Sequence, residues 1–328
     1  MIDQDLVDTA LAAGHYPDAK GTVIDHELFK ESGRVSRHRQ YRVYLPGNYS
    51  RDKQYPLIVV LHGCRQDHLA IQRITGFDAI ADRVEAIIVY PFVTTYSGLR
   101  TQNCWGWWLS RQRQRGRGEV ADLRQIAMDV SNRYAVDTTR RHVCGLSSGG
   151  AMAVACLAAY SDFWTSGASV AGVPYGESTN AVRANPHLPV RRKTVNSLVR
   201  MLNRELIAPA PPLLVVQSRA DKMVGPKLGA NLRDSWAIVS GCEDATVMRF
   251  EQVSRGVVCK FEQFAARGEL HVGHLLIEDL PHGWPGGVAG KFCIPDAPNV
   301  SELIWVFFEH IAQAGVGSNL PELKVAAQ

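Results

Sequence analysis

From about residue 40 onward, short runs of consecutive hydrophobic residues alternate with segments in which hydrophobic residues recur at helical spacing. A continuous apolar run bounded by turn residues is typical of a strand that is buried on both faces of a parallel sheet. Residues 56–63 and 212–218 are the clearest such runs, and residues 41–45 alternate as a half-buried strand does. We therefore predict strands at 41–45, 56–63, 85–91, 141–147, 165–172, 212–218, 246–250, 257–264 and 274–280.

Most segments between these strands have the hydrophobic spacing of a single helix face. This spacing predicts helices at 77–84, 119–134, 149–160, 226–239 and 301–313. Alternating strands and helices are typical of a mostly parallel sheet with helices on both faces. The fold class predicted from the pattern is therefore α/β, with a mostly parallel central sheet.

Two long stretches without a clear period, 92–118 and 174–210, interrupt this alternation. Open α/β sheets place their sites at the carboxyl ends of the strands, so we expect both excursions to lie over that edge. The chain shows neither an internal repeat nor a Pro/Ser-rich linker. We therefore predict a single domain over 40–314, an N-terminal extension over 1–39 and a frayed tail over 315–328.

Charge and cysteine content mainly exclude classes of partner. The 36 basic and 32 acidic residues give a net charge of +4, which is too small to indicate nucleic acid. The alternating arginines within 111–117 and the basic run at 191–193 are interpreted as solvated surface. The seven cysteines contain no CxxC pair, so no metal site is predicted, and Cys144 and Cys156 are expected to be buried.

The sequence predicts no membrane span, because no apolar run reaches the roughly 18 residues that a spanning helix needs. The first residues lack the basic segment and apolar core of a secretory signal. We therefore expect a cytoplasmic protein, or a secreted one if the chain is a trimmed mature form. No feature of the sequence indicates an oligomeric state.

The segment GLSSG at 145–149 matches the G-x-S-x-G pattern of a nucleophile elbow. A predicted strand precedes it and an alanine-rich predicted helix follows it, which is the setting that this sharp turn requires. The pattern centres on Ser147 rather than on its neighbour Ser148, and it predicts that the Ser147 hydroxyl stands above the sheet edge. The alternative interpretation is an ordinary Gly/Ser-rich connection.

A serine nucleophile needs a base and a carboxylate that orients the base. His282 lies in a Gly/Pro-rich loop after a late predicted strand, whereas His142 and His310 lie inside predicted elements and are interpreted as structural. Asp221 follows another predicted strand and gives the chain order Ser…Asp…His. Asp279 is the alternative acid.

Backbone amides are expected to bind the oxyanion of the reaction. One is the amide of Ser148, the residue after the nucleophile. The other is expected in the loop that ends the early strand 56–63, where Gly63 allows a close approach of the backbone. We predict that the Cys64 amide is this second donor.

Five segments together resemble the poly(3-hydroxybutyrate) depolymerase-like esterases, which include feruloyl and acetyl-xylan esterases. They are HGCRQ at 62–66, CWGWW at 104–108, GLSSG at 145–149, AD at 220–221 and HGWPG at 282–286. The resemblance spans about residues 40–312. It implies an α/β-hydrolase fold, carboxylic ester hydrolysis, an ester as the partner and no cofactor. It also implies the same roles for Ser147, Asp221 and His282, with Cys64 and Ser148 as oxyanion donors.

The family pattern keeps a cysteine at both Cys64 and Cys104, so these residues are expected to be close, and a disulfide would pin one loop to the other. The pair Gln217-Ser218 is a departure, because a His-Gly pair is expected shortly before the acid. This departure concerns the shape of the acid loop. Polymer-degrading members often carry a separate polymer-binding domain, and the chain ends soon after the last predicted helix. We therefore expect weak action on crystalline polymer.

Four of the seven tryptophans fall in two loops that the prediction places beside the nucleophile and the base. They are Trp105, Trp107, Trp108 and Trp284. Partly exposed indoles would bind a flat or chain-like apolar acyl group, as in hydroxyalkanoate oligomers or aromatic esters. The arginines at 111–117 are expected to meet the free carboxylate of an oligomer. The alternative is that the indoles pack the loops onto the sheet.

Two other functions remain open from the sequence. A peptidase or an acyltransferase would use the same three residues on a different substrate. A degenerate hydrolase would bind a ligand without catalysis, although it would have no need for the complete set of serine, aspartate, histidine and loop glycines.

Overall fold

The computed structural model describes residues 1–14, 16–28, 39–93, 102–178, 192–242 and 246–318. The helices in these ranges are α1 (Gln4–Ala12), α2 (His68–Thr75), α3 (Phe77–Val84), α4 (Ser110–Arg113), α5 (Gly118–Arg133), α6 (Ser148–Ala159), α7 (Val195–Glu205), α8 (Pro226–Val239) and α9 (Val300–Ser318). The strands are β1 (Thr22–Leu28), β2 (Arg39–Leu45), β3 (Tyr55–Leu61), β4 (Ile87–Pro91), β5 (Val136–Leu146), β6 (Ser166–Val170), β7 (Leu213–Ser218), β8 (Thr246–Ser254), β9 (Val257–Ala266), β10 (Glu269–Ile277), β11 (Trp284–Pro285) and β12 (Cys293–Ile294).

Strands β1 to β10 form one sheet in the order β1-β2-β4-β3-β5-β6-β7-β10-β9-β8. The six central strands, from β4 to β10 in this order, are parallel to one another. Strands β1 and β2 at one edge and β9 and β8 at the other pair antiparallel. The predicted α/β class and mostly parallel sheet are therefore confirmed, with antiparallel strands added at both edges.

The central strands are buried on both faces, and β3 illustrates how. All seven of its residues are buried. Leu57 and Val59 face one hydrophobic core, which also contains residues of α5, α6 and α8. Ile58 and Val60 face a second core on the opposite side of the sheet, formed with residues of α1, α3 and α9. Because successive side chains of a strand point to opposite faces, a continuous apolar run supplies both cores at once.

The described residues of the predicted N-terminal extension pack onto the sheet and the last helix. Helix α1 buries Val7 and Leu11 against the core that contains α9. The Ile2 backbone exchanges two hydrogen bonds with the buried side chain of Gln263 on β9 (2.7 and 2.8 Å). Strand β1 pairs along β2. The contacts of Ile2 and α1 bring together positions more than 250 residues apart, which hydrophobic spacing alone does not reveal.

The described parts of the two excursions contain helices that the sequence analysis did not predict. The short helix α4 lies in the first excursion, and the amphipathic helix α7, which buries Leu198 and Leu202, lies in the second. Residues 94–101 and 179–191 of the excursions, and the predicted tail beyond residue 318, lie outside the described residues. Within the described residues, no helix is long and apolar enough to cross a membrane.

The interpretation of the arginines at 111–117 as solvated surface is wrong for Arg113. Its guanidinium is buried, donates a hydrogen bond to the Ser178 carbonyl (3.1 Å) and lies over the ring of Tyr175. Arg115 forms a bidentate ion pair with Asp162. Both side chains therefore hold the excursions in place, and neither is offered to a substrate carboxylate.

Candidate active site

Ser147 lies in the turn between β5 and α6, at the carboxyl edge of the sheet. Its backbone has φ 56° and ψ −115°, a conformation that is strained for a residue with a side chain. The turn is held by a hydrogen bond from the Ser147 amide to the Val170 carbonyl of β6 (2.8 Å) and by one from the Ala151 amide to the Ser147 carbonyl (2.9 Å). This conformation is the strained strand-to-helix turn of a nucleophile elbow.

The two glycines of the G-x-S-x-G segment are required by the close approach of β3. A Cβ atom on Gly149 would lie 2.2 Å from the Leu61 carbonyl oxygen, and one on Gly145 would lie 2.6 Å from the same atom. Real Cβ atoms do not come this close to backbone, so any other residue would push the elbow away from β3. The pattern in the sequence thus has a packing cause at the site.

Asp221 and His282 come from two loops that are 61 residues apart in sequence and form a hydrogen bond of 2.7 Å between Oδ2 and Nδ1. Both side chains are largely buried. The other carboxylate oxygen of Asp221 accepts hydrogen bonds from the amides of Met223 and Val224, each at 2.8 Å. The carboxylate is therefore fixed by its own loop on one side and by the imidazole on the other.

The alternative acid, Asp279, is exposed and lies in a turn with φ 57°. The structure places Asp221, and not Asp279, against His282. His142, interpreted from the sequence as structural, is fully buried, stacks on Phe308 and bonds to Ser166. Burial lowers the pKa of His142 to about 3, so this imidazole stays neutral at ordinary pH.

A narrow cleft lies beside Asp221 at the carboxyl ends of β6, β7 and β10, and neither Ser147 nor His282 is among the residues that line it. Strand β6 contributes Val170, whose carbonyl binds the Ser147 amide, and the acid loop contributes Asp221. The cleft is lined by Val170, Ala171, Val216, Gln217, Ser218, Asp221, Ile277, Pro281, Gly283 and Pro285. The carboxyl ends of β5, β6, β7 and β10 thus bring the three predicted residues to one edge of the sheet.

The predicted oxyanion loop lies directly beside the elbow. A Cβ atom on Gly63 would lie 3.4 Å from the Leu146 carbonyl oxygen and 3.6 Å from the Ser147 Cβ. The Gly63 amide is bound by the buried side chain of Gln66 (2.8 Å), whose own amide reaches the Lys291 carbonyl (3.3 Å). Gln66 was given no role from the sequence, although it belongs to the HGCRQ segment.

Two backbone amides near Ser147 have no hydrogen-bond acceptor among the described residues. The amide of Ser148 begins α6, where no intrahelical acceptor exists. In the part of the chain that the structure describes, no acceptor is found for the Cys64 amide. These are the two donors predicted from the sequence. The start of a helix also carries a positive dipole end, which favours a developing oxyanion.

Cys64 and Cys104 form a disulfide, with their Cα atoms 4.3 Å apart. The Arg65 amide donates to the Gln102 carbonyl (2.6 Å), and the Asn103 side chain donates to the Gln66 carbonyl (3.3 Å). Three contacts therefore tie the oxyanion loop to the tryptophan-rich loop.

Three of the four predicted substrate-binding tryptophans are buried. Trp105 donates its indole N–H to the His62 carbonyl (3.0 Å), and Trp284 donates to the Ser301 hydroxyl (2.9 Å). Trp108 packs edge-on against Trp107. Trp105, Trp108 and Trp284 are 1%, 7% and 0% exposed, so they offer no ring surface to a ligand. The prediction of a surface of four indoles is corrected: these three hold the loops onto the sheet.

Trp107 differs from the other three because it is partly exposed. It covers a small apolar cluster, which we call the apolar wall, formed by Ala151, Val173, Val224 and Leu228. Ala151 belongs to the first turn after Ser147, and Val224 donates its amide to Asp221. The wall therefore stands between the elbow and the acid loop, with one indole over it.

His62 precedes the oxyanion loop but is unsuited to act as a base. It is completely buried between Trp105 and Phe92, and its Nδ1 lies 2.8 Å from the Gly63 carbonyl oxygen. Burial lowers the pKa of His62 to about 4. A neutral, enclosed imidazole of this kind serves to shape the loop.

The family model described as esterase PHB depolymerase matches residues 39–258 of the chain. Among curated relatives, poly(3-hydroxyalkanoate) depolymerase C of Paucimonas lemoignei is 32% identical over 129 residues, which are 39% of this chain and 30% of the relative. Feruloyl esterase B of Neurospora crassa is 26% identical over 57% of this chain and 66% of the relative. The chain therefore matches less than two thirds of the length of both.

The fold has solved counterparts. The acetyl xylan esterase from Aspergillus awamori superposes with a TM-score of 0.67 at 15% sequence identity. The superposition covers 87% of this chain and 99% of the esterase chain. A feruloyl esterase module from Clostridium thermocellum gives a TM-score of 0.53 at 13% identity, covering 91% of this chain and 94% of that module. At such identities the likeness is one of fold.

Proposed function

The chain belongs to the esterase PHB depolymerase family and has the α/β-hydrolase fold, and from this premise we propose that it hydrolyses carboxylic esters through an acyl-enzyme on Ser147. The observation that carries the proposal is the hydrogen bond between Asp221 and His282 at the sheet edge that also holds the strained elbow. A buried carboxylate on the imidazole Nδ1 leaves Nε2 as the atom that exchanges protons with a nucleophile.

In the proposed reaction, the Ser147 hydroxyl attacks the ester carbonyl while His282 takes its proton. The negative charge on the tetrahedral oxygen is bound by the amides of Cys64 and Ser148. The C–O bond to the alcohol then breaks, and His282 returns the proton to the departing alcohol. Water repeats the sequence on the acyl-enzyme and releases the carboxylic acid. Asp221 holds the imidazole orientation and stabilises its protonated form.

The apolar wall and the partly exposed Trp107 support an apolar acyl group as the preferred part of the substrate. The names of the relatives cover hydroxyalkanoate, feruloyl and acetyl groups. An indole beside aliphatic side chains binds a chain-like or flat acyl group with a more favourable free energy than it binds acetyl, because more apolar surface is removed from water. We propose hydroxyalkanoate oligomers or aromatic esters as substrates.

A matched substrate panel tests the proposal. The panel contains p-nitrophenyl acetate, a 3-hydroxybutyrate trimer, methyl ferulate, the amide counterpart of ferulate, and methyl ferulate with an added alcohol acceptor. We expect release of acid from the esters, with larger kcat/KM for the trimer or the ferulate than for the acetate. Equal turnover of the amide would indicate a peptidase. Transfer of the feruloyl group to the added alcohol would indicate an acyltransferase, and no turnover of any substrate would indicate a binding protein.

We expect Trp107→Ala to raise KM about tenfold for the 3-hydroxybutyrate trimer or methyl ferulate and little for p-nitrophenyl acetate. The reason is that roughly 1.5 kcal/mol of apolar contact is lost only where the acyl group reaches the wall. Steady-state kinetics on the purified variant measure this effect. Trp284→Phe is the matched control, because its buried indole bonds only within the protein: it should lower stability, by about 1–2 kcal/mol, with no dependence on acyl length. Equal KM changes for all esters would remove Trp107 from substrate binding.

The disulfide between Cys64 and Cys104 supports an oxidising working environment over the cytoplasm, where thiols are kept reduced. Peptide mapping without reductant on protein taken from its native compartment tests this proposal, and two free thiols there would contradict it.

A further inference from the structure

We infer that Ser218 and Gln217 are positioning residues that hold the acid loop (residues 219–225) and the base loop (residues 278–283) together as one unit. The inference rests on the proposed function, because it assigns these residues to the geometry of the Asp221–His282 pair. Neither side chain touches the imidazole in the structure, and neither is assigned a role in the proton transfers.

The need for such a connection follows from where the sheet ends. Strands β7 and β10 are parallel neighbours whose last paired residues are Ser218 and Ile277. One more backbone hydrogen bond, from the Arg219 amide to the Ile277 carbonyl (2.8 Å), follows. Beyond this bond the two segments are no longer paired with each other, although the Asp221 Oδ2 and His282 Nδ1 atoms must still lie 2.7 Å apart.

The Ser218 hydroxyl bridges the two loops at this point. It donates a hydrogen bond to the Leu280 carbonyl (2.6 Å) and accepts one from the Leu280 amide (3.2 Å), two residues before His282. It also lies 3.3 Å from the Ala220 amide of its own loop. The buried hydroxyl thus binds both backbone groups of one residue on the base loop, and an ion pair between Arg219 and Glu278 (2.6 Å) joins the same two loops nearer the surface.

Gln217 closes the acid loop from its other end. Its side-chain amide donates to the Val224 carbonyl (2.5 Å) and to the Ser218 carbonyl (3.3 Å), so it spans the loop that carries Asp221. Helix α8 holds this side chain in place: a Cβ atom on Gly229 would lie 2.8 Å from its Cγ. The side chain has little freedom to turn away.

A glycine at 218 would have no hydroxyl with which to reach Leu280, and an apolar side chain at 217 would have no donor for the Val224 carbonyl. The chain uses the polar groups of Ser218 and Gln217 to fix the two loops. Catalytic groups must be held within a fraction of an ångström, so a looser bridge is expected to lower turnover more than binding.

Ser218→Ala tests the inference most directly. We expect kcat for p-nitrophenyl acetate to fall about 10- to 100-fold, with KM changed less than twofold, and the acid limb of the pH profile of kcat/KM to move to lower pH. The limb moves because a loosened carboxylate stabilises the protonated imidazole less. The matched control is Ser166→Ala, which also removes a buried hydroxyl, one that bonds to His142 at the amino end of β6. It should leave kcat and the profile unchanged.

Two further measurements separate positioning from general destabilisation. Gln217→Met keeps the length of the side chain but removes the donor, and it should also lower kcat selectively. In the Asp221→Asn background, Ser218→Ala should lower kcat no more than about twofold. The reason is that substitutions acting through the same contact, here the Asp221–His282 hydrogen bond, do not have additive effects. Equal fold losses in both backgrounds would overturn the inference.

The low-field proton resonance of the Asp221–His282 hydrogen bond gives a readout that needs no substrate. We expect the wild-type protein and Ser166→Ala to show this resonance. It should broaden or disappear in Ser218→Ala and be absent in Asp221→Asn. An unchanged resonance in Ser218→Ala would overturn the inference. Wild-type protein that shows the resonance but hydrolyses no ester would contradict the proposed function and leave the positioning role to be judged by the resonance alone.

Discussion

Replacing Ser147 with alanine is expected to lower kcat for ester hydrolysis by about 10⁴-fold or more while leaving the melting temperature close to that of the wild type. The hydroxyl is the atom that forms the acyl bond in the proposed reaction, so no other group replaces it. The fold is expected to tolerate the change because the turn is held by backbone hydrogen bonds to Val170 and from Ala151, and alanine keeps both.

Intact-mass analysis after treatment with an organophosphonate measures the same prediction without a substrate. The wild-type protein should gain one label on Ser147, and Ser147→Ala should gain none. Ser148→Ala is the matched control, since this neighbouring serine is the rival in the motif and should still allow labelling. A fully labelled Ser147→Ala protein would exclude Ser147 as the nucleophile.

The second large effect is expected at Asp221. Changing Asp221 to asparagine should reduce kcat by about 10⁴-fold, because the asparagine amide would face Nδ1 as a donor and favour the wrong imidazole tautomer. The oxygen that accepts from the Met223 and Val224 amides is retained, so the loop is expected to keep its shape. Steady-state kinetics with a thermal melt separate loss of catalysis from loss of fold.

Asp279→Asn is the matched control for this experiment. Asp279 lies close to His282 in sequence but is exposed, so its change is expected to alter kcat less than twofold. If Asp279→Asn reduced kcat by orders of magnitude and Asp221→Asn did not, the acid would be assigned to the wrong carboxylate.

The sequence predicted the central elements well because their pattern is local. The bounds of α3 and α8 match the predicted helices 77–84 and 226–239, β7 lies within the predicted run 212–218, and β3 begins one residue before the predicted run 56–63 and ends two residues before its end. A helix with one buried face and a strand buried on both faces each carry a distinct hydrophobic period. Helix α7 in the second excursion is amphipathic, with Leu198 and Leu202 buried, but it was not predicted because the whole stretch 174–210 was interpreted as lacking a clear period.

The candidate site was predictable to the extent that its residues sit in short motifs. The elbow glycines record the close approach of β3, and the order Ser…Asp…His follows from the strands that carry them. The choice of Asp221 over Asp279 rested on the position of Asp221 in the loop after a predicted strand and on the short distance in sequence between Asp279 and His282. The structure adds the observation that Asp221 is the buried carboxylate bonded to His282.

The sequence by itself determined the α/β class, the order of the central strands and helices along the chain, and the residues at which chemistry was expected. Only the tertiary structure decided which polar and aromatic side chains face a cleft and which face a core. Trp105 lies in a loop and Trp284 in the two-residue strand β11, yet both are buried. Arg113 lies in a basic run yet is buried, and Ser218 joins two loops 62 residues apart. Hydrophobic spacing reports how a segment lies relative to its own sheet or helix axis. Burial in a loop and long-range hydrogen bonds depend on which distant segment packs against it, and that information exists only once the chain has folded.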